Sequence, residues 1–205
     1  MKKYGFLFLF LQITVSCTSQ KYVSSQSTIK LEGHNTNIRE VLDIDGYYKN
    51  YNFGGSNAMF FADGTYVRYF YFKEGATEEQ IRTNMVEWIK WPEKMGRMWG
   101  VYRIEDNVLI GHGYDKGFFY GISMFEERYT IVDRTTLKQI YWKRKNKEDE
   151  KFLDYDPWLN YDFSYHFMPA DSLPNSDCWL KEKKWIWRNE QDWKDYMDRI
   201  KQKKY

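Results

Sequence analysis

Cysteine and histidine are scarce in this chain, and each scarcity closes off a class of protein. Two cysteines, Cys17 and Cys178, cannot staple a disulfide scaffold. Three histidines, His34, His112 and His166, stand at no metal-ligand spacing, and no C-x-x-C accompanies them. We therefore expect no metal and no cofactor. An excess of charge of one sign is also missing: 31 basic and 29 acidic side chains give a formal charge of +2. A balance so even supplies no electrostatic pull toward nucleic acid. There is no G-x-S-x-G elbow, and Cys178 sits in Ser-Asp-Cys-Trp with no histidine near it in sequence, so we assign no catalytic residue. Asp154, Asp156, Asn160 and Asp162 mimic a calcium loop. However, Leu159 stands where the turn needs glycine, and Tyr165 where the loop needs glutamate. Gly54-Gly55 and Gly111-His112-Gly113 precede no helix and read as turn or bulge positions, not as phosphate cradles.

Long apolar runs are lacking too, with one exception. Behind Met1-Lys2-Lys3, residues 4–15 read YGFLFLFLQITV. That is well short of the ~20 residues that cross a bilayer as a helix, and has the layout of a secretory signal peptide. The following Thr14-Val15-Ser16-Cys17-Thr18-Ser19 resembles the lipobox of bacterial lipoproteins. The resemblance implies cleavage before Cys17 and lipidation of its thiol, and three acyl chains would make the anchor effectively permanent. Cleavage also removes Lys2 and Lys3 and no acid, so the mature chain is formally neutral. No acidic run follows Cys17, which favours the outer membrane's periplasmic leaflet over the cell surface. We divide the chain into a signal peptide (1–16), a lipidated tether (17–43) and one domain (44–205). The Ser/Thr/Gln-rich start of the tether reads as a flexible spacer that lifts the domain off the membrane.

What the chain has in abundance is rings: 18 Tyr, 14 Phe and 9 Trp. Large rings favour strands, and residues 161–167, YDFSYHF, alternate ring and polar side chain as a half-buried strand does. Strands over 57–62 and 65–73 flank Asp63-Gly64, and strands over 97–105 and 108–113 flank Asp106-Asn107. Residues 118–126 and 128–133 form a further expected pair, followed by 137–144, in an antiparallel meander. Thr77 and Gln80 make a capping box for a helix over 77–90, with Ile81, Met85, Trp88 and Ile89 on one face and Trp91-Pro92 at its end. Asn189 caps a last helix whose stripe of Trp193, Tyr196, Met197 and Ile200 is expected to dock on the outside of the strands.

Gly46-Tyr47-Tyr48, Phe61-Ala62-Asp63-Gly64-Thr65-Tyr66, and the run from Trp99 to Leu109, WGVYRIEDNVL, together carry a resemblance. Over roughly residues 46–144 the chain resembles the lipocalin-like domains of small Gram-negative lipoproteins. The resemblance implies an up-and-down β-barrel whose interior holds a small apolar ligand. It brings no shared ligand motif to map onto this chain. The helix over 77–90 and the long segment 151–187 depart from the pattern.

One segment stands apart. Lys181, Lys183, Lys184 and Arg188 surround Trp179, Trp185 and Trp187. Those tryptophans are either a contact for a partner, a sugar or a membrane interface, or an arm packed on the barrel. The sequence thus leads to a mainly β fold, an antiparallel up-and-down barrel or meander with one inserted helix and a C-terminal helix. The expected function is that of a membrane-anchored envelope lipoprotein, binding a small apolar ligand or a protein partner. Its rivals are a structural or assembly accessory with a filled core, and an enzyme using Cys178 or carboxylates. Cys17→Ala should move the protein from the membrane fraction to the soluble fraction and abolish lipid labelling; unchanged partitioning would overturn the anchor.

Overall fold

Alternating rings impose a two-residue period, and a strand is the conformation with that period. In the computed structural model, residues 21, 23–33, 36–52, 57–90, 98–117, 121–145 and 163–203 are described. Nine strands form among them: β1 (Gly46–Lys49), β2 (Asn57–Phe60), β3 (Thr65–Phe72), β4 (Ile89–Lys90), β5 (Met98–Glu105), β6 (Val108–Gly117), β7 (Gly121–Asp133), β8 (Thr136–Lys145) and β9 (Ser164–Pro169). All but β4 pair antiparallel with their neighbours in chain order, and β9 returns to β1 from Gly46↔Pro169 to Lys49↔His166. The result is a closed, eight-stranded up-and-down barrel, which has no free sheet edge at its seam. The two-residue β4 pairs with the outer end of β3.

Turn chemistry closes one end of this barrel. Gly64 takes a positive φ of 88°, and the Asp63 carboxylate accepts from the Thr65 amide at 3.0 Å. Asp106 and Asn107 have φ of 46° and 65°, the pair of positive values that a tight hairpin demands. Between β7 and β8 the Asp133 carboxylate accepts from the Thr135 amide at 2.7 Å. A further expected turn is absent. β7 runs unbroken through Glu127, where a boundary between 118–126 and 128–133 was expected. Three consecutive charged residues, Glu126-Glu127-Arg128, imitate a surface turn, but Glu127 is wholly buried.

The barrel wall separates two cores. Inside lie Tyr48, Phe60, Tyr66, Tyr102, Tyr129, Ile131, Leu137 and Tyr165, floored at the turn end by Ile38, Leu42 and Ile44. Outside, Met59, Val67, Trp99, Val101, Tyr114 and Met124 project from the β2–β3–β5–β6–β7 wall into a second cluster. Three segments cover it. The capping box of Thr77 and Gln80 forms as expected, but the helix splits at Asn84 into α1 (Glu78–Thr83) and α2 (Met85–Trp88), and Ile89 already belongs to β4. Ile81, Met85 and Ile89 press on the wall. The second cover is the C-terminal arm through Leu180 and Ile186.

The third cover corrects the expected tether over 17–43. Val23, Ile29 and Leu31 are buried in the outer core, and Leu31 pairs in parallel with Trp187. The apolar positions 23, 29, 31, 38, 42 and 44 keep neither helical nor strand spacing, so a polar composition hid a packed segment. Cys17 itself lies outside the described residues.

On β9 Tyr165 is buried and His166 points out, as the alternation predicts; Phe167 and, just before the strand, Phe163 are only half-buried, and Ser164 is half-buried like them, while Tyr161 and Asp162 lie outside the described residues. The last helix, α3 (Glu190–Gln202), starts at Asn189, whose side chain accepts from the Gln191 amide. Its docking is indirect. The Tyr196 ring lies 5.5 Å from Trp187, the Trp193 indole donates to the Glu182 carbonyl at 3.2 Å, and Arg199 and Lys203 pair with Asp177. The helix therefore rests on the arm, and the arm rests on the barrel. Tyr196 is buried and Trp193 only half-buried. Tyr196→Ala should cost about 3 kcal/mol as a large-to-small change in a packed site, and Trp193→Ala about 1 kcal/mol. Urea denaturation of both variants checks this, and equal losses would contradict the docking.

Candidate functional site

Two charges lie inside the barrel. Arg68 on β3 and Glu127 on β7 form an ion pair across the lumen, with their side chains only 2% and 0% exposed. Neither could stay there without hydrogen-bonding partners, because desolvating an ion costs several kcal/mol even after relaxation. The partners are tyrosines. Glu127 Oε2 accepts from Tyr129 at 3.0 Å and from Tyr66 at 3.3 Å. Arg68 Nη2 donates to Tyr69 at 2.9 Å and Tyr165 at 3.2 Å, and its guanidinium lies 4.4 Å from the Tyr69 ring centre. Burial, reinforced by Glu127, raises the pKa of the Tyr66 hydroxyl and keeps it a donor; burial does the same at Tyr129. Burial works against the Arg68 charge, and Glu127 together with the tyrosines outweighs it, holding the guanidinium protonated.

Local sequence makes room for this layer. Tyr66 lies flat along the inner wall over Gly100, Gly111 and Gly113. A Cβ at Gly100 would come 2.2 Å from its ring, and one at Gly111 2.8 Å from its hydroxyl. Gly111 and Gly113 are thus mid-strand clearances on β6, and not the expected turn or bulge; Gly54-Gly55 lies outside the described residues. A bulge occurs instead on the β2–β3 ladder. Tyr69 adopts φ 55°, the register shifts between Asn57 and Ala58, and Phe70 turns to the outer core while Arg68 stays inside.

Beyond the ion pair, away from the floor, the ladder register puts Phe125, Trp142 and Arg144 on the same side as Glu127. Phe125 and Trp142 have ring centres 5.5 Å apart, and Trp142 is 48% exposed. Arg144 donates to Ser123 at 3.3 Å, and burial raises the Asp115 carboxyl pKa while Arg144 opposes it. At the floor end, a depression of about 220 Å³ is lined by Leu42, Ile44, Phe167 and Pro169 between the ion pairs Arg39–Asp45 and Arg134–Asp43.

The tryptophan arm is largely accounted for by packing. Trp179, Trp185 and Trp187 are half-buried against the outer core. Trp185 meets the Tyr114 ring at 5.3 Å, and the Trp187 indole donates to the Lys181 carbonyl at 2.8 Å. The cations find partners as well. Lys184 pairs with Glu190 at 2.7 Å and Arg188 with Glu32 at 2.9 Å. Lys181 is buried, 2.5 Å from Asp63 and 2.9 Å from Ser176 Oγ. Burial alone would raise the Asp63 pKa; Lys181, Thr65 and Ser176 reverse that and hold it below the usual carboxylate value. Although this cluster joins a serine to a lysine, an ammonium beside a carboxylate is not a general base. It latches the arm to the β2–β3 turn.

Cys178 is buried, and burial pushes its thiol up to about 11, the state of an inert structural cysteine. His112 is buried on β6, His166 is exposed on β9, and His34 lies outside the described residues. Among the described residues no three His, Cys, Asp or Glu side chains could hold a metal ion. The acidic stretch 154–162 is not among them. Sequence reasoning missed Arg68 and Glu127. The available signal was a lone arginine inside the aromatic run Tyr66-Val67-Arg68-Tyr69-Phe70, a charge where the strand alternation gives it no solvent.

Removing one charge strands the other. Arg68→Ala should therefore destabilise the domain by about 3–5 kcal/mol, and Arg68→Met combined with Glu127→Leu by clearly less than either single change. Urea denaturation of the two singles and the double measures this, and additive losses would show that the pair is not one unit.

No family model, curated protein or solved structure matches the chain.

Proposed function

We propose that this chain is a lipoprotein of the cell envelope, anchored through Cys17 on the periplasmic side of the outer membrane, that works by binding and not by catalysis. Within that reading its barrel is a filled scaffold, and it engages a protein partner through its surface. The observation that carries the filled scaffold is the Arg68–Glu127 layer. An apolar ligand lying along the barrel axis would have to displace a buried ion pair and the tyrosines Tyr66, Tyr129 and Tyr165 around it. Below that layer the lumen is occupied by Tyr48, Phe60, Tyr102 and Leu137 down to the floor. Ligand pockets, by contrast, are generally pre-formed at ~300–1,000 Å³. The buried, protonated thiol of Cys178 weighs against a cysteine enzyme.

One observation favours a second reading, a small apolar ligand held at the mouth and not in the lumen. Trp142 and Phe125 present paired rings above the ion pair, and Trp142 is exposed. Titrating the mature chain with a long-chain fatty acid and with a naphthalene-sulfonate dye separates the two. The filled-scaffold reading expects no saturable binding of either. One-to-one binding that is lost in Trp142→Ser would put the small ligand at the mouth in its place.

A further inference from the structure

The distance between the anchor and the packed domain is short. Five residues, 18–22, separate Cys17 from Val23, which is 2% exposed in the outer core. Even fully extended, that stretch reaches about 20 Å. The spacer expected to lift the domain away is therefore limited to these few residues, and the wall around Val23 stays close to whatever holds Cys17.

That wall has a definite composition. The Ser27 amide donates to the Val23 carbonyl at 3.0 Å, and Ser27 Oγ lies 2.6 Å from the Tyr114 hydroxyl on β6. Tyr114 in turn meets Trp185, and Lys30 Nζ donates to the Trp185 carbonyl at 2.7 Å. The start of the domain and the basic arm thus share one face. Of its cations, Lys181, Lys184 and Arg188 are neutralised by Asp63, Glu190 and Glu32. Lys21, Lys30 and Lys183 make no ion pair among the described residues; the acids near them that likewise make none are Glu182 and Asp192, the latter against Gly33. We infer that the domain lies on its bilayer by this face, with Lys21, Lys30 and Lys183 turned toward anionic phospholipid headgroups. The inference rests on the lipidation of Cys17 proposed above. Each lysine brought against an anionic surface strengthens the contact about fivefold, within a screening length of about 8 Å at physiological salt.

The opposite wall supplies the control. In the ring of eight strands β1 lies four places from β6, and His166, exposed on β9, pairs with Lys49 of β1. The full chain, lipidated during expression and reconstituted in vesicles containing phosphatidylglycerol, is labelled with a fluorophore at Thr28→Cys or at His166→Cys; Thr28 is exposed next to Ser27, and the native Cys178 is buried. A quencher carried on the lipid headgroups should quench the Thr28 label several-fold more than the His166 label. Lys21→Glu with Lys183→Glu should narrow that difference, as should vesicles of phosphatidylcholine alone. Equal quenching at the two sites in a vesicle-bound chain would overturn the orientation while leaving the anchor intact. A difference untouched by charge reversal would overturn the headgroup contact. A chain that never associates with the vesicles would overturn the lipidation of Cys17, and the inference with it.

Discussion

A charge pair placed inside a β-barrel constrains everything around it. Arg68 and Glu127 sit on strands three places apart in the ring, so they meet only because the sheet closes and brings β3 and β7 face to face across the lumen. Offsetting their cost of desolvation requires the tyrosine hydroxyls around them, although Arg68 Nε finds no hydrogen-bond partner among the described residues. That requirement reaches outward. Tyr66 must lie flat to reach Glu127, which needs glycine at 100 and 111. Tyr69 must return its hydroxyl to Arg68, and it does so from a left-handed backbone position that displaces the β2–β3 register. β7 must stay unbroken to present Glu127 and Tyr129 together.

The outer face obeys a different rule. A sheet with rings on both sides buries only one of them by closing, and the second needs a cover. Here the cover comes from chain segments that flank or interrupt the barrel: residues 23–31, the helical excursion between β3 and β5, and the arm from Cys178 to Trp187. None is long enough to be a layer by itself. They are held by polar clasps at their margins, Lys181 on Asp63, Arg188 on Glu32 and Lys30 on the Trp185 carbonyl. The tryptophans, which the sequence left as either a contact surface or a packed arm, are the apolar side of that cover.

The parts legible in the sequence were those fixed by local chemistry. The Asp63-Gly64 and Asp106-Asn107 turns, the capping box at Thr77, the cap at Asn189 and the alternation through Tyr165 depend on residues within a few positions of one another. The antiparallel meander followed from their spacing, and its closure into a barrel was what the lipocalin-like resemblance implied. What escaped was set by partners distant in sequence. Glu127 resembled a turn residue because nothing nearby reveals Arg68, fifty-nine positions earlier. Gly111 and Gly113 resembled turn glycines because the ring they accommodate belongs to β3. Val23, Ile29 and Leu31 were lost in a polar stretch because their spacing follows the surface they cover and not a period of their own.

The parallel bridge between Leu31 and Trp187 joins nearly the first packed residue to nearly the last. The barrel seam is similarly nonlocal, since β1 waits for β9. Contacts of such sequence separation form slowly, because loop closure must precede any gain from them. A chain that emerges N-terminus first therefore carries Val23, Ile29 and Leu31 uncovered until its final residues arrive. The outer core is completed last, by the arm, and the same stitch that ties the two ends of the domain together also sets the order in which it can become whole.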